Sequence, residues 1–210
     1  ELSKRVVGAP YFMVNFTVSA ELRTLFRGPH SKRGYDLLFQ TAALALSQTL
    51  ALRRSLRAQV SGFTGILHTW NQRLLFHPHL HFLVPGVGLD SHGRPVRCRN
   101  PKFLLPIPLL RQAYVDAWRR ALTAEKIEVD PQIWDKTWGV FIQAFGTGDN
   151  AIKYLGAYVC RTAIGDRRLL ELNDQHVSFT WRDRREGNKL KTLQLEGREF
   201  LRRYLSHVLP

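Results

Sequence analysis

The sequence has little cysteine and no long apolar run, and each shortage excludes a class of protein. Its two cysteines, Cys98 and Cys160, are far apart and form no Cys-x-x-Cys motif. This pattern predicts reduced thiols and excludes a cysteine-based structural zinc site. The longest mostly apolar stretch, residues 37–52, is interrupted by polar residues. It is shorter than the ~20 residues that span a bilayer, so no membrane partner is predicted.

Acidic residues are also scarce. The 210 residues include 31 Lys and Arg against 17 Asp and Glu, a formal net charge of +14. This balance predicts a polyanionic partner, with nucleic acid as the first candidate, because Lys and Arg that face phosphates release condensed counterions. The first residues do not have the pattern expected of a signal peptide, and the chain opens without Met. We therefore expect residues 1–210 to be a single domain excised from a longer protein.

Hydrophobic periodicity predicts an α+β domain around an antiparallel sheet flanked by helices. The strands are mostly linked by hairpins, and βαβα alternation and a glycine-rich phosphate loop are both missing. Residues 11–18 alternate and predict a half-buried strand, whereas residues 27–34 are typical of a loop. The other predicted strands are 61–70, 79–87, 136–145, 176–181 and 190–195, and the predicted helices are 35–57, 109–126, 151–162 and 196–208.

Four histidines fall within fourteen residues, and they are the strongest chemical signal in the sequence. On a strand, residues i and i+2 face the same side, so His79 and His81 can chelate one divalent ion. His68, on the preceding strand of a predicted hairpin, is the preferred third ligand. Gln72, an oxygen donor at the strand end, competes for that place. The fourth histidine, His77, precedes a proline that is expected to disrupt the strand, and it is interpreted as an outer partner.

A second constellation contains two tyrosines. Tyr154 and Tyr158 are spaced i, i+4 in a predicted helix, so they share one helix face. Lys153 and Arg161 add cations beside them, which suits the holding of DNA phosphates. A Tyr-x-x-x-Tyr pair alone is weak evidence, and its meaning depends on the histidines.

Histidines on a strand, tyrosines on a helix and a large positive charge together indicate an enzyme that nicks single-stranded DNA. A metal ion would polarise and orient the scissile phosphate, and a tyrosine hydroxyl would attack in line. The products are a 5′-phosphotyrosine and a free 3′-hydroxyl. A phenol has a pKa of about 10 and leaves readily later, so rejoining needs no nucleotide triphosphate. Two tyrosines within about one helical turn allow the products of two strand cleavages to be held covalently at once.

These motifs resemble the two-tyrosine rolling-circle transposases of bacterial insertion sequences. The metal-binding segment is matched by residues 65–70 and 76–86, and the tyrosine segment by residues 154–158 and 161–164. The similarity extends to residues 179–183 and 200–210, and so covers nearly the whole chain. The family belongs to the His-hydrophobic-His (HUH) endonucleases, which share a fold with replication initiators and conjugative relaxases.

The resemblance implies that His79 and His81 are ligands and that Tyr154 and Tyr158 are nucleophiles. It also implies that the substrate is single-stranded DNA at transposon ends and target, and that the protein acts in the bacterial cytoplasm in association with the nucleoid. Relatives use His, Glu or Gln as the third ligand. Two departures stand out: the family's cysteine-rich zinc-binding segment is missing, and Ala157 and residues 159–160 replace a basic residue and Thr-His.

The expected cofactor is Mg²⁺ or Mn²⁺, although imidazole-rich sites favour softer ions than Mg²⁺. The main alternative is a non-catalytic basic module that binds single-stranded DNA, with Trp70, Trp138 and Trp181 stacking on bases. A zinc hydrolase is less well supported, because Asp36 is the only acidic residue between Glu21 and Asp90 that could serve as its general base.

Overall fold

The chain folds as an α+β protein, as predicted. The computed structural model describes residues 8–29, 31–52, 55–159 and 162–207, without the side chains of residues 152, 154, 155, 157–159 and 185. The strands are β1 (Tyr11–Thr17), β2 (Thr64–Trp70), β3 (Phe76–Pro85), β4 (Val87–Leu89), β5 (Pro95–Arg97), β6 (Val140–Gly146), β7 (Leu169–Leu172), β8 (His176–Asp183) and β9 (Lys189–Glu196). The α-helices are α1 (Ser31–Ala51), α2 (Ile107–Ala124), α3 (Gly148–Val159) and α4 (Gly197–Leu205).

The chain divides into two compact units, which comprise residues 1–67 with 79–156 and residues 68–78 with 157–210. The grouping of residues 1–210 into one domain stays a prediction. No helix in the described part of the chain combines the length and the apolar character that crossing a membrane requires. Cys98 is a free thiol, and Cys160 lies outside the described residues.

Most of a four-stranded sheet with the order β2-β3-β1-β6 belongs to the first unit, and residues 68–70 of β2 and 76–78 of β3 belong to the second. Strand β1 pairs antiparallel with both β3 and β6. One face of this sheet forms the apolar core, because Phe12, Val14 and Phe16 of β1 are fully buried. Helix α2 covers this face, and the rings of Phe16 and Tyr114 lie 4.8 Å apart. Alternation along β1 and β3 therefore determines which side chains are left for the opposite face.

The prediction that β1 is half-buried is wrong at its N-terminal end. Tyr11 and Met13, on the face opposite Phe12, are also buried, at 8% and 4% exposure. They form a cluster with Leu83 of β3 and Ala151 of α3. The start of α3 therefore covers this part of the second face, which no periodicity within β1 could reveal.

Two predicted boundaries are corrected by local packing. Helix α1 begins at Ser31 and ends at Ala51, so it includes part of the predicted loop and stops well before residue 57. Gly34 lies within this helix, and its lack of a side chain is needed because a Cβ there would clash with the backbone carbonyl of Leu25. Strand β3 begins at Phe76 and continues through Pro78. Its pairing with β1 starts only at His79, so Pro78 interrupts no hydrogen bond on that side.

The second unit contains a three-stranded sheet with the order β7-β8-β9. Strands β8 and β9 form the predicted hairpin, paired from His176 with Glu196 to Asp183 with Lys189. Phe179 is fully buried in this unit, and Phe200 and Tyr204 of α4 pack against its cluster. Strand β7 was not predicted, because Leu169–Leu172 lacks apolar alternation and all four residues are exposed.

Candidate metal centre and tyrosine helix

Two histidines of β3 lie on the sheet face opposite the core. Leu80 and Phe82 point into the core, so His79 and His81 project from the other face with Leu83. The ring centroids of His79 and His81 are 4.9 Å apart. His81 is buried at 8% exposure, which shields its ring from bulk water. The predicted His-x-His arrangement is therefore present on one strand face.

A third histidine lies beside this pair. His68, near the end of β2, is 5% exposed, and its ring stacks on that of Trp70 at 4.8 Å. One nitrogen from each of His68, His79 and His81 lies within 4.8 Å of the others. Neutral imidazole is a common ligand for Zn²⁺, Ni²⁺ and other first-row divalent ions. These residues therefore fit a divalent metal centre.

The competing ligand, Gln72, is already engaged through both of its oxygens. Its side-chain Oε1 accepts a hydrogen bond of 2.6 Å from the backbone N–H of Arg182. Its carbonyl oxygen accepts a bond from the guanidinium of Arg168. An amide oxygen used to hold the backbone of β8 is a poorer candidate for a metal ligand. This favours His68 as the third ligand, an assignment that stays a prediction.

Two further residues occupy the histidine face, and they do not emerge from the sequence. Asn15 of β1 pairs directly with His81, and on its other side with Phe141 of β6. Phe141 is a large apolar side chain on the edge strand β6, and it is 57% exposed. Period-two alternation places Asn15 on the polar face of β1, but only the strand register places it beside His81.

The helix that carries the tyrosines begins on the same face of the sheet. Gly146 ends β6 with φ +86, and a Cβ there would meet the Asn150 side chain at 2.7 Å. Helix α3 then starts at Gly148, three residues before its predicted start. Ala151, in the first turn of the helix, is buried and packs against Met13 and Leu83. Since Leu83 shares its strand face with His81, α3 starts over the histidine face.

The predicted nucleophiles lie within α3. The backbones of Tyr154 and Tyr158 are helical, which confirms their i, i+4 spacing on a helix. The structure does not describe their side chains. Lys153 is exposed on the same helix, and Arg161 lies outside the described residues. The catalytic and DNA-binding roles of these four residues stay predictions.

The three tryptophans proposed to stack on bases differ in their surroundings. Trp138 is 1% exposed and its indole N–H donates to the Ile133 carbonyl at 3.1 Å, so the base-stacking prediction is wrong for this residue. Trp181 is partly exposed, with Arg73 and Lys191 at 5.2 and 5.7 Å from its ring centroid. Trp70 stacks on His68.

The α+β fold, with an antiparallel sheet flanked by helices, three clustered histidines and a helix that carries two tyrosines, is consistent with an HUH-like fold. The model of the Y2 transposase family, described as "Putative transposase", matches residues 62–210. The chain therefore belongs to the two-tyrosine transposase family.

Two curated relatives agree with this membership. The chain is 32% identical to "Putative transposase y4qJ" of Sinorhizobium fredii, over 95% of this chain and 55% of the relative. It is 28% identical to "Transposase for insertion sequence element IS801" of Pseudomonas savastanoi pv. phaseolicola, over 87% of this chain and 47% of that protein. The chain thus spans about half the length of these relatives. No solved structure matches it significantly.

Proposed function

We propose that this domain nicks and rejoins single-stranded DNA at transposon ends and target by tyrosine transesterification. The observation that carries the proposal is the position of α3, which starts over the same sheet face from which His79 and His81 project. A metal-binding group and a helix with two candidate nucleophiles are thereby attached to one sheet. Family membership supports the DNA-processing part of the proposal.

The three histidines would hold Mg²⁺ or Mn²⁺. When bound, the ion would supply a positive charge that polarises and orients the scissile phosphate. The chain's own part is to keep the three imidazoles together. Burial of His68 and His81, at 5% and 8% exposure, restricts their rotation and excludes competing water. The apolar core directly beneath β3 supports this arrangement.

The tyrosines would supply the covalent chemistry. The hydroxyl oxygen of Tyr154 or Tyr158 attacks phosphorus, the bond from phosphorus to the 3′ oxygen breaks, and a 5′-phosphotyrosine forms. The phenol loses its proton, and the departing 3′ oxygen gains one to become a free 3′-hydroxyl. Rejoining is the reverse reaction, in which a 3′-hydroxyl attacks the phosphotyrosine. Two tyrosines on one helix allow donor and target strands to be held together.

Binding of the strand would rest on charge and on stacking. The net charge of +14 favours a polyanion, and exposed Lys153 lies beside Tyr154 on α3. Phe141 offers an exposed ring on the histidine face for an unpaired base. DNA of this kind would be met in the bacterial cytoplasm, at the nucleoid.

The proposal is tested on a denaturing gel with labelled single-stranded oligonucleotides that span candidate element ends. Wild type, Tyr154→Phe, Tyr158→Phe and the double variant are compared with Mn²⁺ and with a chelator. A metal-dependent covalent protein–DNA band that disappears in the double variant supports the mechanism, and the single variants give the order of the tyrosines. Tight binding without an adduct under any condition contradicts it.

The alternative, a non-catalytic module that binds single-stranded DNA, is favoured by one observation. Trp181 remains partly exposed and has two cations close to its ring, which resembles an aromatic stacking platform beside basic side chains. That function requires neither the histidines nor the tyrosines. It predicts that DNA affinity falls in Trp181→Ala and is unchanged in the Tyr154→Phe, Tyr158→Phe double variant.

A further inference from the structure

The side chain of Asn15 presents an anomaly within the candidate metal centre. Its Oδ1 has less than 1 Å² exposed to solvent, and it has no hydrogen-bond partner among the described residues. Buried polar atoms in folded proteins are nearly always paired, and an unpaired one calls for an explanation such as a missing water or ion. A buried amide oxygen without a hydrogen-bond partner destabilises the folded state.

The strand register shows where this amide lies. Asn15 pairs directly with His81 in the antiparallel ladder of β1 and β3. Directly opposite residues project from the same sheet face, with Cβ atoms about 5 Å apart. Val14 and Phe16, the neighbours of Asn15 along β1, are fully buried in the core on the opposite face. Asn15 is therefore confined to the histidine face, next to His81.

We propose that Asn15 supplies an oxygen donor to the metal centre formed by His68, His79 and His81. This inference rests on the proposed metal centre and extends its ligand set. A carbonyl-type oxygen next to three imidazoles has a specific chemical consequence. Oxygen ligands suit harder ions such as Mg²⁺ and Mn²⁺, whereas a site of imidazoles alone favours softer ones. Asn15 would therefore move the preference of this site toward the ions that support phosphoryl transfer.

The test is metal binding to the 210-residue chain, measured without DNA and without turnover. Mn²⁺ affinity is determined by electron paramagnetic resonance, and Zn²⁺ affinity by competition with a chelating dye. Asn15→Leu keeps the approximate shape and removes the oxygen. Asn15→Asp keeps the shape and provides a charged oxygen. Gln143→Leu is the matched control, because Gln143 is an exposed amide on the same face of β6, opposite Met13.

We expect Asn15→Leu to weaken Mn²⁺ binding by about 10- to 100-fold, the usual effect of losing a supporting group at a metal site. Zn²⁺ binding should weaken less, so that the Mn²⁺/Zn²⁺ affinity ratio falls. Asn15→Asp should raise the Mn²⁺/Zn²⁺ affinity ratio above that of wild type, because a carboxylate oxygen suits the harder ion. Gln143→Leu should match wild type. Far-UV circular dichroism verifies that each variant is folded.

Two outcomes overturn the inference and are distinguishable. If His81→Ala abolishes Mn²⁺ binding while Asn15→Leu stays within twofold of wild type, Asn15 is not part of the centre and the three-histidine site stands. If His81→Ala also binds Mn²⁺ like wild type, the proposed metal centre itself fails. Should Asn15→Leu not fold, Asn15→Asp decides the question, because an unchanged Mn²⁺/Zn²⁺ ratio in that variant contradicts an oxygen donor at this position.

Discussion

His207 and Thr69 are joined by a buried hydrogen bond of 3.2 Å between the imidazole Nδ1 and the threonine hydroxyl. The other ring nitrogen, Nε2, lies 3.0 Å from the carbonyl oxygen of Leu74. A carbonyl oxygen can only accept, so Nε2 carries the proton and Nδ1 accepts from Thr69. Thr69 directly follows His68, and Trp70, which stacks on His68, lies 5.8 Å from the His207 ring. A residue just beyond α4 thus fixes the strand end that presents His68.

Replacing His207 should therefore affect both stability and metal binding. In His207→Ala the Thr69 hydroxyl and the Leu74 carbonyl lose their partner, which costs about 1–3 kcal/mol of unfolding free energy. Mn²⁺ affinity should also fall, because His68 is less firmly held. Urea denaturation and Mn²⁺ titration measure the two effects. His92→Ala is the control, since His92 is exposed in a turn, and wild-type stability in His207→Ala would contradict this account.

Metal binding should stabilise the fold in a way that depends on the histidines. Saturating Mn²⁺, at about 100 times the dissociation constant, adds about 2.7 kcal/mol to a protein that binds the ion only when folded. We expect the melting temperature of wild type to rise with Mn²⁺ and to return with a chelator. The His79→Ala, His81→Ala double variant should show no rise. Equal rises in both proteins would place the metal elsewhere.

The exposed ring of Phe141 should contribute to the binding of unpaired DNA. Stacking of a base on an aromatic side chain is worth about 1–3 kcal/mol, so Phe141→Ala should weaken affinity for a single-stranded oligonucleotide by about 5- to 150-fold. Phe141→Trp should retain it. Phe103→Ala is the matched control, because Phe103 is similarly exposed, at 48%. Fluorescence anisotropy at fixed salt measures the effect, and equal losses in both alanine variants would indicate no special role for Phe141.

Replacing Gly146 with alanine should slow covalent adduct formation without changing Mn²⁺ affinity. Alanine at its positive φ costs about 1–2 kcal/mol, and its Cβ meets the Asn150 side chain at 2.7 Å. Because Gly146 leads directly into α3, backbone strain at this position should misplace the helix and lower the rate of covalent adduct formation by about 10- to 100-fold. Mn²⁺ affinity should not change. Gly187→Ala is the control, since Gly187 also has a positive φ, of +63, but has open space around its Cβ position.

Acid should break the ion pairs that Glu199 forms with Arg202 and Arg203 on α4. Hydrogen bonds from Arg202 and Arg203 lower the pKa of the Glu199 carboxyl from 4.5 to about 2. A depressed carboxyl pKa stabilises the folded state above the unfolded-state pKa, and this contribution disappears as the pH falls from 4.5 toward 2. The difference in unfolding free energy between wild type and Glu199→Gln should therefore shrink over that range. A difference that does not change with pH would show that the ion pairs are not formed in solution.

Much of the fold could be predicted because local pattern and tertiary structure agree. The alternation of β1 and the spacing of α2 give elements within a few residues of those observed. The boundary of α1 could not be found in this way, because Gly34 is a loop signal in sequence and a close-contact residue in the structure. The effect of Pro78 could not be predicted for a similar reason. Whether a proline breaks a strand depends on whether the neighbouring strand is hydrogen-bonded at that position, and β1 pairs with β3 only from His79 onward.

The candidate site was predicted as far as short-range geometry allows. The His-x-His strand and the Tyr-x-x-x-Tyr helix each place their members on one face by periodicity alone. Asn15 is far from His81 in sequence, and the two become neighbours only through the register of β1 with β3. The polar contact that engages Gln72 likewise comes from β8, a distant segment of the chain.

The alternation along β1 gives neighbouring residues different tasks. Phe12, Val14 and Phe16 point into the core, while Asn15 lies on the face of the histidines. Substitutions at core positions should therefore change how much folded protein accumulates in a cell, whereas a substitution at Asn15 should change what each folded molecule does. Variants at Val14 and Phe16 should therefore be recovered in lower yield, whereas variants at Asn15 should be recovered in normal yield with altered metal binding. The ion preference of the site could then diverge between relatives while the fold beneath it stays the same.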